Sequence, residues 1–240
     1  MTRISILHPS RSRPYQALDC IVHWLQNIGD GVEWEYILSI DSNDPFLSEY
    51  EALGIENSPS MRVIVNDNQN IVQASNEAGK VSTEDIIILV SDDFLCFKDW
   101  GHTIIQAMSG KSGVLKTYDT IQRWIVTLPL LSRDYYEDQG YIYYPGYSHM
   151  FCDCDMTHKA DIENKLIIRN DIVFKHNHYS TKGGQPKDEV NKKADGTWAQ
   201  GEKVYLQRVK EWRAAGLNIY DLSPEATKAG HVNWLKKKLR

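Results

Sequence analysis

Cysteine is sparse, and what there is shows no metal-binding pattern. Cys20, Cys96, Cys152 and Cys154 are the only four, and no two stand in a Cys-x-x-Cys spacing. That argues against a structural zinc site and for free thiols. No apolar run approaches the roughly 18 residues of a membrane-spanning helix. Nothing at the amino terminus has the charged-then-apolar pattern of a secretory leader. A cytoplasmic chain with no stable membrane insertion is therefore expected. Positive charge is also short: the formal net charge is -5, which argues against a large nucleic-acid footprint. No internal repeat and no interdomain linker interrupt the 240 residues. One domain over 1–240 follows.

Within that frame the first half alternates short apolar runs with helical patterns. Ile4 to Leu7, Trp34 to Ile40, Met61 to Val65 and Ile86 to Val90 read as strands. Between them, Leu18, Ile21, Val22, Leu25 and Ile28 form a stripe at helical spacing behind Pro14, and Ile71 to Ala78 reads as a helix. Strand–helix alternation predicts an α/β fold, a mostly parallel sheet flanked by helices. The second half is less regular. Ile104, Ile105 and Met108 mark a helix, Tyr135 to Tyr147 is rich in tyrosine, and Ile167 to Phe174 reads as one or two strands. Ser180 to Gln200 is polar and reads as a long loop, in which Gly183-Gly184 could close over a ligand. Val204 to Ala215 reads as a helix. The terminal Lys236-Lys237-Lys238-Leu239-Arg240 reads as a solvated helix end suited to the dipole.

Three stretches carry chemistry. His8-Pro9-Ser10-Arg11-Ser12-Arg13-Pro14 follows the first strand and opens a helix. A helix start with two arginines offers amide donors and positive charge to a phosphate or a base edge. Ile86 to Val90 is a fully apolar run, as in a buried parallel strand, and Asp92 and Asp93 follow it almost at once. The carboxyl edge of such a sheet is where ligands bind. Two acids there repel unless they point apart or share a cation, and a divalent metal holding a diphosphate would give them a purpose. Phe151-Cys152-Asp153-Cys154-Asp155 supplies further acids.

This order of strand, acid pair and later acidic stretch resembles a GT-A glycosyltransferase of the family-2-like kind. Ser91-Asp92-Asp93 is similar to that family's metal-binding DxD motif, with Ser91 in the place of the first Asp. The resemblance implies a nucleoside diphosphate sugar donor, an acceptor with a free hydroxyl (on a glycan, lipid, protein or modified nucleic acid) and a manganese or magnesium ion. It implies that Pro9, Ser10, Arg11 and Arg13 contact the donor, with Asp41 at the base or ribose, Asn76 on the nucleotide-contacting helix and Asp92 on the donor ribose or just behind the metal. It makes Asp93 a metal ligand, with His176 or His178 as a further one. An HxH on a strand would put both imidazoles on one face. Asp153 falls at the position of the catalytic base, with Cys152 where the family has another acid. Asp155 is the competing base or a helix cap. The implied division is a nucleotide-sugar-binding half over 1–98 and an acceptor half with a helical tail over 99–240. A sugar-phosphate nucleotidyltransferase shares such acids but would carry a glycine-rich phosphate loop, and Pro9 to Pro14 contains no glycine. A non-catalytic carbohydrate-binding protein is the alternative outside enzymes.

Overall fold

The computed structural model describes residues 2–55 and 60–239, so Arg240 of the basic terminus lies outside the described residues. The apolar runs become strands: β1 (Ile4–Ser10), β2 (Trp34–Asp41), β3 (Met61–Asn66) and β4 (Ile86–Leu89). They alternate with α1 (Pro14–Gln26), α2 (Leu47–Ala52) and α3 (Ile71–Val81). The chain continues through β5 (Phe94–Leu95), α4 (Trp100–Met108), β6 (Val114–Tyr118), β7 (Leu130–Ser132), α5 (Arg133–Gln139) and α6 (Cys152–Ile162). It closes with β8 (Leu166–Val173), β9 (Lys175–His176), α7 (Glu189–Asp195), α8 (Trp198–Ala214) and α9 (His231–Lys238).

Among the described residues, seven strands form one sheet in the order β3-β2-β1-β4-β7-β6-β8. The first four run parallel, β7 is antiparallel to both neighbours, and β8 is again parallel to β6. Because successive residues point to opposite faces, β4 feeds two cores. Ile86, Ile88 and Val90 enter one, with Trp24 of α1 and Trp100 of α4. Ile87 and Leu89 enter the other, with residues of α3, α5, α6 and α8. Helices on both faces explain why the run is apolar throughout.

The structure shifts several expectations. β1 runs on to Ser10 rather than ending at Leu7, pairing with β2 as far as Ser10↔Ile40. Pro9 is tolerated because β4 pairs with β1 only up to Leu7↔Leu89. The buried face of α1 is Ala17, Cys20, Ile21 and Trp24, while Val22 of the expected stripe faces solvent. The expected loop after Ser180 contains α7, closed by a capping box in which Asp188 and Asn191 exchange side-chain and backbone bonds. Its only buried residue is Ala194, so apolar periodicity could not reveal it. No helix among the described residues is long and apolar enough to cross a membrane.

Strand order reverses between β1 and β4: the chain steps outward from β1 to β3, then returns to the other side of β1. The carboxyl ends of these two strands flank the crevice where α/β sheets take ligands. They carry His8 to Ser10 on one side and Ser91 to Asp93 on the other.

Candidate functional site

The adjacent acids at this crevice do point apart, each into its own network. Asp92 belongs to the β1 side. Its Oδ1 accepts from Ser10 Oγ at 2.9 Å and meets His8 Nε2 at 2.9 Å, and Arg13 lies 3.6 Å from Oδ2. His8 is fully buried and its other nitrogen meets the Tyr36 hydroxyl at 2.7 Å. Ser10 also meets the Tyr50 hydroxyl at 2.7 Å, which accepts from the Arg13 amide at 3.0 Å. Asp92 is thus fastened to the start of α1.

Asp93 belongs to the opposite side. Ser91 donates to its Oδ1 at 2.6 Å, and His176 Nε2 lies 3.2 Å from its Oδ2. The element that arranges this is the two-residue pairing of β5 with β9, which sets Phe94 opposite His176. The two rings stack at 4.1 Å, and the Asn177 amide donates to the Asp93 carbonyl at 2.8 Å. On its far side His176 Nδ1 meets Asp119 Oδ2 at 3.3 Å. Carboxylates only accept, so an imidazole between two of them carries a proton on each nitrogen. Burial works against that charge, yet the bonds and charges of Asp119 and Asp93 raise His176 to about 9. In the same way, burial would raise Asp93, but the His176 bond and charge, Ser91 and Arg13 overcome it and hold the carboxyl at about 2.

The third stretch begins α6. Its N-cap is Phe151, in the left-handed region at φ 73, and no side chain caps the helix. Asp153 sits in the first turn and accepts from the Cys154 amide at 2.7 Å. Burial raises its pKa, its local backbone bonds oppose this, and the charge of Asp119 adds to the rise. Asp155 lies elsewhere and is not a cap: it is buried, accepts from the Tyr147 hydroxyl at 3.0 Å and from Arg208 Nε at 3.1 Å, and so faces the second core. The bond from Arg208 ties the expected competing base to α8. The lead-in to α6 is held by α8. The Met150 amide donates to Thr197 Oγ1 at 3.1 Å, and a Cβ at Gly201 would fall on the Met150 carbonyl oxygen.

The remaining expected residues divide. Pro9 and Ser10 end β1 at the crevice. Arg11 reaches Asp41 and donates to Asn43 Oδ1 at 2.7 Å, which ties the first loop to the end of β2. Arg13 bridges inward to Asp92 and outward to Asp188, its Nε donating to Asp188 Oδ2 at 2.8 Å. Asn76 does not join them. Its amide donates to the Tyr143 carbonyl at 2.8 Å and its oxygen accepts from the Ile142 and Tyr143 amides, so it staples α3 to that segment. β9 ends at His176, short of a strand that would carry both, yet the His178 ring lies 5.1 Å from that of His176. His178 Nδ1 instead meets Ser180 Oγ at 2.8 Å. His149, Asp119, His8 and Tyr50 were not singled out by sequence. Burial lowers the pKa of His149, with Asp195 and Asp93 close enough to oppose this.

Asp93 and His176 offer one carboxylate oxygen and one imidazole nitrogen to a common point, a donor pair suited to manganese or magnesium. Among the described residues no group of three or more His, Cys, Asp or Glu side chains is arranged to hold a metal by itself. The pair fits an ion whose other positions are filled by diphosphate oxygens and water.

No family model and no curated protein matches the sequence. Solved structures do match its fold. The mannosyltransferase PcManGT from Pyrobaculum calidifontis, in complex with GDP-Man and Mn2+, has a TM-score of 0.65 at 13% identity, over 97% of this chain and 69% of that one. S. aureus TarS 1-349 in complex with UDP-GlcNAc has a TM-score of 0.68 at 12% identity, over 99% and 71%. Against a longer TarS structure the chain spans 43% of that protein's length. The fold is GT-A-like, that of glycosyltransferases acting on nucleotide sugars.

Proposed function

We propose that this chain is a metal-dependent glycosyltransferase. It moves a sugar from a nucleoside diphosphate donor to an acceptor hydroxyl, with inversion at the anomeric carbon. One observation carries the reading: Asp93 and His176 converge at 3.2 Å at the switch point of a GT-A-like sheet. The structures similar in fold hold GDP-Man with Mn2+ and UDP-GlcNAc, which supports a nucleotide sugar here.

In this reading residues 1–98 bind the donor. Asp41 and Arg11 serve the base or ribose, Pro9, Ser10 and Arg13 line the diphosphate, and Asp92 holds Arg13 and Ser10 in place. Asp93 and His176 hold manganese or magnesium, which neutralises the leaving diphosphate. Residues 99–240 bind the acceptor. Asp153 takes the proton from the acceptor hydroxyl, and the burial that raises its pKa makes it a stronger base for that task. The freed oxygen pair forms the bond to the anomeric carbon as the bond to the diphosphate oxygen breaks and its electrons leave with the nucleotide. A nucleotidyltransferase is disfavoured because the loop after β1 has no glycine and is filled by Ser10, Tyr50 and Arg13 contacts.

The test pairs binding with turnover. Asp93→Asn is expected to abolish manganese-dependent binding of UDP or GDP in calorimetry while the chain stays folded. Asp153→Asn is expected to keep that binding and to slow sugar release from the matching donor by roughly 10²–10⁴-fold. Unchanged binding in Asp93→Asn removes the metal site. A parent chain that binds donors but never turns them over makes it a carbohydrate-binding protein instead.

A further inference from the structure

Asp119 is the least explicable residue near the crevice if it only supports the fold. It follows β6, is 2% exposed, and its carboxylate is the focus of four donors. Oδ1 accepts from the Ile121 and Gln122 amides, and Oδ2 accepts from Thr127 Oγ1 at 2.7 Å and from His176 Nδ1 at 3.3 Å. Its own carbonyl takes the His176 amide at 3.2 Å. The carboxylate is immobile, and it grips His176 through both side chain and backbone. Four of its five named contacts would serve any turn; the bond to Nδ1 has a chemical consequence. A carboxylate cannot donate, so Nδ1 must keep its hydrogen, and an ion arriving at Asp93 would displace only the hydrogen on Nε2, whose lone pair then meets it.

We propose that Asp119 is the positioning residue of the metal centre, an outer carboxylate that fixes the ring orientation and tautomer in which His176 offers Nε2 beside Asp93. The inference rests on the metal-dependent reading above and extends it to a residue outside the first contacts. Carboxylates behind metal-bound imidazoles act in this way, and their loss costs about 10- to 100-fold in metal affinity.

Asp119→Asn is the discriminating change. The amide keeps an oxygen for Ile121 and Gln122 but can turn an N–H toward Nδ1, which drives the hydrogen to Nε2 and blocks ligation. Manganese binding to the full chain, alone and with UDP or GDP, is read by the loss of the free-ion paramagnetic resonance signal. The expected result is a 10- to 100-fold weaker affinity, with the imidazole nitrogen coupling gone from the pulsed spectrum. The double variant Asp119→Asn with His176→Ala is expected to bind no worse than His176→Ala alone, because Asp119 acts only through that ring. Parent-like affinity with the nitrogen coupling intact, or additive losses in the double variant, overturns the proposal while leaving the metal reading standing. A parent that binds no manganese overturns both. Should Asp119→Asn fail to fold, nitrogen-15 spectra of the parent with magnesium and the nucleotide decide the matter: hydrogen on Nδ1 of His176 is expected, and a bare Nδ1 refutes it.

Discussion

Asp155 and Arg208 show how one turn of helix separates chemistry from support. Asp153 and Asp155 are both in the first turn of α6, where the helix dipole favours acids. Two positions rotate Asp155 into the core, against a guanidinium that also lies 3.9 Å from the Tyr144 ring centroid. Burial raises Asp155 to about 6 despite the charge of Arg208 and the Tyr147 bond. A carboxyl raised in the folded state favours folding most below its ordinary value of 3.8, and that benefit is lost as pH rises through about 6. Arg208→Met leaves the buried charge uncompensated above that point. Urea unfolding is expected to show a loss of about 3–5 kcal/mol near neutrality, and a clearly smaller one near pH 5, where the carboxyl can take a proton. Equal losses at both would show that the packing of Arg208, and not its charge, matters here.

At the scale of elements, a buried histidine joins three helices. His158 of α6 meets the hydroxyl of Tyr205, on α8, at 2.5 Å, and that hydroxyl meets His231, at the start of α9, at 3.2 Å. Burial, with the nearby charge of His231, lowers His158 from 6.5 to about 3. A depressed folded pKa gives stability that is full above 6.5 and is lost as pH falls toward about 3, by about 1.4 kcal/mol per pH unit. His158→Gln should therefore lose less stability than the parent on acidification; parallel urea midpoints from pH 7 downward would count against this. The elements also show where local sequence stops being informative. The run from Ile86 to Val90 announces a strand buried on both faces, so its end, and with it the acid pair, was legible. The β5–β9 pairing was not: it joins residues 82 apart through two positions, and no local period encodes it. Asp119 reads as an ordinary turn acid, and α7 rests on a capping box rather than on an apolar face. His176 and His178 looked equivalent by spacing; their rings lie 5.1 Å apart, and the bonds to Asp93 and Asp119 fall to His176.

At the scale of the whole molecule, the two core layers share one sheet, so a ligand at the crevice should stabilise the entire domain. A nucleoside diphosphate with manganese at about 100 times its dissociation constant adds roughly 2.7 kcal/mol. For a chain of this length that is a rise of roughly 5–10 °C in Tm. A panel of nucleotides with and without manganese should single out one base, and a rise that survives chelation would deny the metal its part. Two contacts between α8 and the lead-in to α6 bear on where Asp153 is held. The two peptides that meet at Met150 are each held once, the N–H of one by the Thr197 hydroxyl and the carbonyl of the other packed against the bare backbone of Gly201. With one plane bonded and the next boxed in, the chain is held three residues before it reaches Asp153. That hold on the start of α6 leaves no room at Gly201, and even the smallest addition, Gly201→Ala, would turn it into a wedge.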